Sequence, residues 1–170
     1  TSYYDLRPLF YRGDGYYLRE KTLISKAILS ALHKKVRLGI ASGRPRFEAE
    51  LALKRFGLLP YFDSIVTLDE CLKAEDRNLR STGKRVKFSK PHPYSLLKVI
   101  EEIGLTRPRC GYVGDVVDDM LAAKTAREKV LIVAIGFLSG HQGRTLKSSL
   151  YKAGADLVIE NPKEFLQFIN

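Results

Sequence analysis

Cys110-Gly111-Tyr112-Val113-Gly114-Asp115-Val116-Val117-Asp118-Asp119 is an apolar run that stops at a glycine and three carboxylates. Cys110 through Val113 reads as a strand, and about 118–128 as the helix after it. A strand that ends in charge just before a helix is the unit of an open parallel sheet, where ligands collect at the carboxyl ends of the strands. Three carboxylates within five positions repel one another unless a cation lies among them. A hard divalent ion with oxygen ligands, such as Mg²⁺, suits them. Helix capping is the competing use for Asp118 or Asp119. It suits Asp115 less well, because Asp115 stands at the strand tip.

Upstream, the same arrangement occurs twice with other chemistry. Val36, Leu38 and Ile40 form a strand that runs into Ala41-Ser42-Gly43-Arg44-Pro45. Gly43 lets the backbone approach a ligand, and Pro45 suits the first turn of a helix. The Ser42 hydroxyl and the amides at that helix start could hold phosphate oxygens, or Ser42 could simply cap the helix. Lys90 stands in Ser89-Lys90-Pro91-His92-Pro93, where two prolines stiffen the turn. A held ammonium there could neutralise a phosphate and a nearby carboxylate together; a surface lysine is the plain alternative. His92 reads as a turn residue.

The rest of the chain keeps the alternation. Ser25 caps a helix with Ala27, Ile28, Ala31 and Leu32 on one face, and Gly57 ends the helix that begins at Pro45. Ser64 through Thr67 is a strand. Pro93 opens a helix with Leu96, Leu97, Ile100 and Ile103 inward, ended by Gly104. Val130 through Ile135 is a strand apolar on both faces, expected at the sheet centre or well covered. Leu157 through Ile159 is a short last strand before a C-terminal helix. The expected fold is α/β, a Rossmann-like parallel sheet with helices on both faces. Lys73 to Ser89 breaks the rhythm. With Arg77, Arg80, Lys84, Arg85 and Lys87 it reads as a solvated loop, or as a basic flap over an anionic substrate.

At 170 residues the chain is one domain's worth, with 45% hydrophobic and 28% charged residues. It has no apolar run of the roughly 18 residues that a membrane span needs. Two cysteines make no disulfide framework, which points to a reducing cytoplasm. The net charge of +10 suits anionic partners. Nucleic acid and phosphorylated metabolites are both candidates, but the basic residues are scattered, and the better reading is a surface charge that keeps the chain soluble. Residues 1–21 interleave tyrosines with arginines around Gly13-Asp14-Gly15 and read as a linker preceding a core of residues 22–170.

In this order the three constellations resemble the haloacid dehalogenase superfamily of phosphohydrolases, on its phosphoglycolate-phosphatase-like branch. Ile40 through Pro45 is similar to the second motif, Lys90 in Lys-Pro-His-Pro to the third, and Val113 through Ala123 to the fourth. Phe56-Gly57-Leu58, Tyr61-Phe62-Asp63 and Ile65-Val66-Thr67 are also similar to that branch. The resemblance implies a Mg²⁺-dependent phosphatase working through an aspartyl phosphate. Ser42, with Gly43 and Arg44, would bind the phosphoryl group, and Lys90 would stabilise its charge. Asp115 would ligate Mg²⁺, and Asp119 would complete or orient the metal site, with Asp118 as the other candidate.

The family's first motif is an apolar strand ending in Asp-x-Asp, and neither Asp5 nor Asp14 has that setting. The resemblance therefore implies that the first strand and most of the cap are missing from this sequence. Residues 1–21 would be a remnant of the cap-to-core linker. The nucleophile would come from an N-terminal segment or a second chain, and this chain alone would be inactive. In the family that strand lies between those ending at Ser42 and Asp115, so direct pairing of those two would overturn this expectation. A degenerate phosphate-binding module and a nucleic-acid-binding protein are the alternatives.

Overall fold

The computed structural model describes residues 19–105, 108–138 and 143–169. The expected linker lies largely outside them, as do Asp5 and Asp14. Within them helix and strand alternate: α1 (Lys26–His33), β1 (Gly39–Ala41), α2 (Arg46–Arg55), β2 (Ser64–Val66), α3 (Leu68–Thr82), α4 (Tyr94–Ile103), β3 (Arg109–Gly114), α5 (Val117–Ala126), β4 (Leu131–Phe137), α6 (Gly143–Ala153) and β5 (Leu157–Ile159). A 3₁₀ turn, Leu59–Tyr61, precedes β2, and the expected C-terminal helix is a 3₁₀ helix, Pro162–Ile169.

The expected caps form. The Ser25 hydroxyl accepts from Ile28 N, and Gly104 closes α4 in the left-handed conformation. On α1 the buried residue is Leu29, whereas Ala27 is exposed. Two helices depart from the expectation. Most of the basic segment is not a loop: α3 runs to Thr82 and stops at Gly83, also left-handed. It starts from Thr67, whose amide and hydroxyl both donate to Glu70, and it buries Cys71 and Ala74. A capped start and an apolar stripe outweigh a high density of charge on the other face. The sequence reading also named no helix between the last two strands. There α6 sets Leu146, Leu150 and Ala153 against the core, at the three- and four-residue spacing of one helix face.

Among the described residues every strand pairing is parallel, and the sheet is in two pieces, β1-β2 and β3-β4-β5. β4 is central in its piece, as expected. Its even positions, Ile132 and Ala134, pack with Met120, Ala122 and Ala123 of α5 and Leu150 of α6. Its odd positions Ile135 and Phe137 pack with Ile159, Phe165 and Leu32 on the opposite face. That opposite face is covered only in part, since Leu131 is 70% and Val133 45% exposed.

Among the described residues β1 and β3 do not pair. A groove of about 620 Å³ lies along them, lined by Gly39 and Ala41 of β1, by Arg109 through Val113 of β3, and by Leu96, Val99, Ile100 and Ile103 of α4. At Gly39 an added Cβ would overlap Val99, so glycine is what lets β1 lie this close to α4.

Candidate active site

Ser42, Gly43, Arg44, Lys90, Asp115, Asp118 and Asp119 line one pocket of about 560 Å³ at the carboxyl ends of β1 and β3. The three stretches singled out in the sequence therefore meet. They reach the pocket in different states.

Ser42 extends β1 by one bond, its amide donating to Val66 O at 2.8 Å. Its hydroxyl accepts from Arg44 N at 3.1 Å, which tightens the turn. Gly43 faces open space, with nothing within 4 Å of where a Cβ would stand. The start of α2 is less free than the sequence suggests. Arg46 N donates to Asp69 Oδ2 at 2.7 Å, so one of the amides expected for phosphate is already used. Arg44 pairs with Glu20 at 2.6 Å, and this hydrogen bond raises its pKa further.

Lys90 is the most constrained of the set. Its Nζ donates to Asp119 Oδ1 at 2.6 Å, to Tyr112 Oη at 3.1 Å and to Ala41 O at 3.1 Å. These are the three hydrogens of an ammonium group. Ala41 closes β1 while Tyr112 belongs to β3, so this one side chain ties the two pieces of sheet together. The Lys90–Pro91 peptide is cis.

Asp119 is a buried part of the pocket wall. Oδ1 accepts from Lys90 and Tyr112, and Oδ2 accepts from Asp115 N at 3.2 Å and Val116 N at 3.4 Å. Gly114 makes room for it, since a Cβ there would overlap the Asp119 side chain. Asp115 and Asp118 are exposed. Among the described residues no group of three histidines, cysteines or carboxylates is placed to hold a metal.

Tyr112 was missed in the sequence reading. It faces the same side of β3 as Cys110, and both pack on the core. Burial first, then the charge of Asp119, push its pKa up, so the phenol stays neutral. A phenol in the strand that leads to the carboxylates was the available signal.

An open α/β sheet with a hydroxyl, an ammonium and carboxylates gathered at its strand ends has its polar groups where this class of sheet binds ligands. The model of the haloacid dehalogenase-like hydrolases matches residues 16–127, and the chain belongs to that family. It is 30% identical over 125 residues to a phosphoglycolate phosphatase of Salmonella paratyphi A, covering 71% of this chain and 44% of the relative. To a phosphoglycolate phosphatase of Xylella fastidiosa it is 28% identical over 124 residues, covering 73% and 45%. The chain thus spans somewhat under half the length of these relatives. Among solved structures it is similar to a HAD phosphatase from Thermococcus onnurineus, with TM-score 0.65, 24% identity and coverage of 91% and 61%. It is also similar to a putative β-phosphoglucomutase from Thermotoga maritima, with TM-score 0.63, 26% identity and coverage of 88% and 59%. No helix among the described residues is long and apolar enough to cross a membrane.

Proposed function

We propose that this chain is the phosphate- and metal-handling part of a Mg²⁺-dependent phosphohydrolase acting on a small phosphorylated metabolite in the cytoplasm. A strand from outside this sequence would enter the groove between β1 and β3 and bring the attacking aspartate. One observation supports this above the others. Two parallel strand edges, each without a partner among the described residues, flank an apolar groove beside the Ser42–Lys90–Asp115 pocket. Unpaired interior edges are costly in a sheet, and an inserted strand satisfies both.

In this reading the Ser42 hydroxyl and the open backbone at Gly43 hold the phosphoryl oxygens, and Arg44 stands at the mouth. Lys90 offsets the charge gathered between phosphate and nucleophile. The entering aspartate would attack phosphorus as the P–O ester bond breaks, the substrate leaving as an alcohol protonated by the second aspartate of Asp-x-Asp. Water, deprotonated by that same aspartate, would then cleave the aspartyl phosphate to inorganic phosphate. The donor set suits Mg²⁺ in kind, being all carboxylate oxygen, and it is a partial set. Asp115 is the open ligand, Asp118 lies beside it, and Asp119 fixes the Asp115 backbone from behind. Bound Mg²⁺ would supply charge neutralisation at the phosphoryl oxygens.

The test adds a synthetic apolar strand peptide ending in Asp-x-Asp to the chain and measures Mg²⁺-dependent phosphate release from an aryl phosphate. The chain alone should be inactive, the mixture active, and Asp115→Asn in the mixture inactive. Robust turnover by the chain alone would overturn the reading. The full internal use of the Lys90 hydrogens favours one second reading, a phosphate-binding module without turnover. Phosphate binding together with a silent peptide mixture would select it.

A further inference from the structure

We propose that Tyr112 is a positioning residue of this site: its hydroxyl pins the Lys90 ammonium between the β1 edge and Asp119, and so decides whether a Lys90 N–H is free to face phosphate. A phenol has one proton to give. The Asp119 carboxylate is the acceptor of its bonds from Lys90, Asp115 N and Val116 N, and it also takes the Tyr112 proton on Oδ1, at 2.8 Å. The phenol oxygen is then left to accept from Lys90 Nζ at 3.1 Å. The direction of the chain is fixed as lysine to tyrosine to aspartate.

With Asp119 alone, the ammonium could turn about a single contact. With Tyr112 and Ala41 O it is held at three points, and none of its hydrogens is left for the pocket. The Lys90 Nζ is 3.1 Å from the Tyr112 hydroxyl and 5.8 Å from the ring centroid, so the ammonium sits off the hydroxyl edge of the ring and is held through the oxygen, not over the ring face. Phenylalanine at 112 would keep that ring and its packing while deleting both hydrogen bonds.

The place of Tyr112 in a reaction rests on the phosphohydrolase reading; its hold on Lys90 does not, and the experiment reads that hold directly. In the ¹⁵N-labelled chain at low temperature, slowly exchanging Lys90 NH₃⁺ and Tyr112 hydroxyl protons should be visible, with a nuclear Overhauser contact between them. In Tyr112→Phe the Lys90 signal should be lost to exchange with water, and inorganic phosphate should bind about fivefold tighter through the released N–H. Cys110→Ala removes a neighbouring group from the same face of β3. It should lower stability while leaving the Lys90 signal and phosphate affinity unchanged. If either the Lys90 signal or phosphate affinity is unchanged in Tyr112→Phe, the proposal fails. Should that variant not fold, absence of the Tyr112–Lys90 contact in the unaltered chain overturns it equally.

Discussion

The two pieces of sheet are built to different standards. β3 and β4 have six and seven residues and share a six-residue register. Behind them Met120, Ala122, Ala123 and Leu150 are wholly buried. β1 and β2 have three residues each, and their surroundings are held as much by charge as by packing. Arg46 reaches Glu50, Glu70 and the carbonyl of Ile65, while Asp69 accepts from Arg46 N. The larger piece carries the carboxylates and the smaller one the serine turn. The difference teaches that one side of the pocket is fixed by a packed core and the other by polar contacts, with Lys90 spanning them.

Lys90→Met attacks that span and should have the largest effect. It strands Asp119 as a buried charge without its cation, which costs about 3–5 kcal/mol. Denaturant titration should show the loss. Native-state hydrogen exchange should show β1 and β2 opening before β3 and β4. Uniform opening would mean that the two pieces form one cooperative unit.

Met120→Ala strikes the packed side. A fully buried methionine cut back to alanine should cost about 2–5 kcal/mol, and here protection should fall in both pieces. Glu70→Gln weakens only the polar side, by about 1 kcal/mol, through the start of α3.

The smallest effect is a pH response. Burial pushes the Glu70 pKa up, but bonds from Thr67 and Arg46 outweigh it and hold the value below the ordinary range. A depressed folded-state value means the contribution is full above the unfolded value, about 4.3, and is lost as pH falls through the folded one. Acidification below about pH 4.3 should therefore release β1 and β2 before β3 and β4, and Glu70→Gln should abolish that difference.

Much of the larger piece could be read in the sequence because aliphatic runs between turns report strands directly. Lys90, Ser42 and Asp115 reach one pocket as their positions after strands and turns suggest. What stayed hidden depends on contacts between distant residues. Asp119 looked like a metal ligand or a helix cap, and only the fold places Lys90 and Tyr112 on one of its oxygens. The helical turns from Lys73 to Thr82 were obscured by exposed cations. Even so, Thr67 and Glu70 stand at capping-box spacing before them, a signal that outranks composition. β1 starts only at Gly39, because Val36 is 39% exposed and lacks the burial that alternation alone suggested.

The strand edges that have no partner among the described residues also have a colloidal consequence. Two strand rows that display backbone donors and acceptors, with an apolar groove beside them, can template the same rows on another copy. A net charge of +10 opposes such encounters. Its reach is about 10 Å at 0.1 M salt and about 3 Å at 1 M. Salt should therefore act as the dial between dispersed and clustered chains, through geometry that has nothing to do with phosphate.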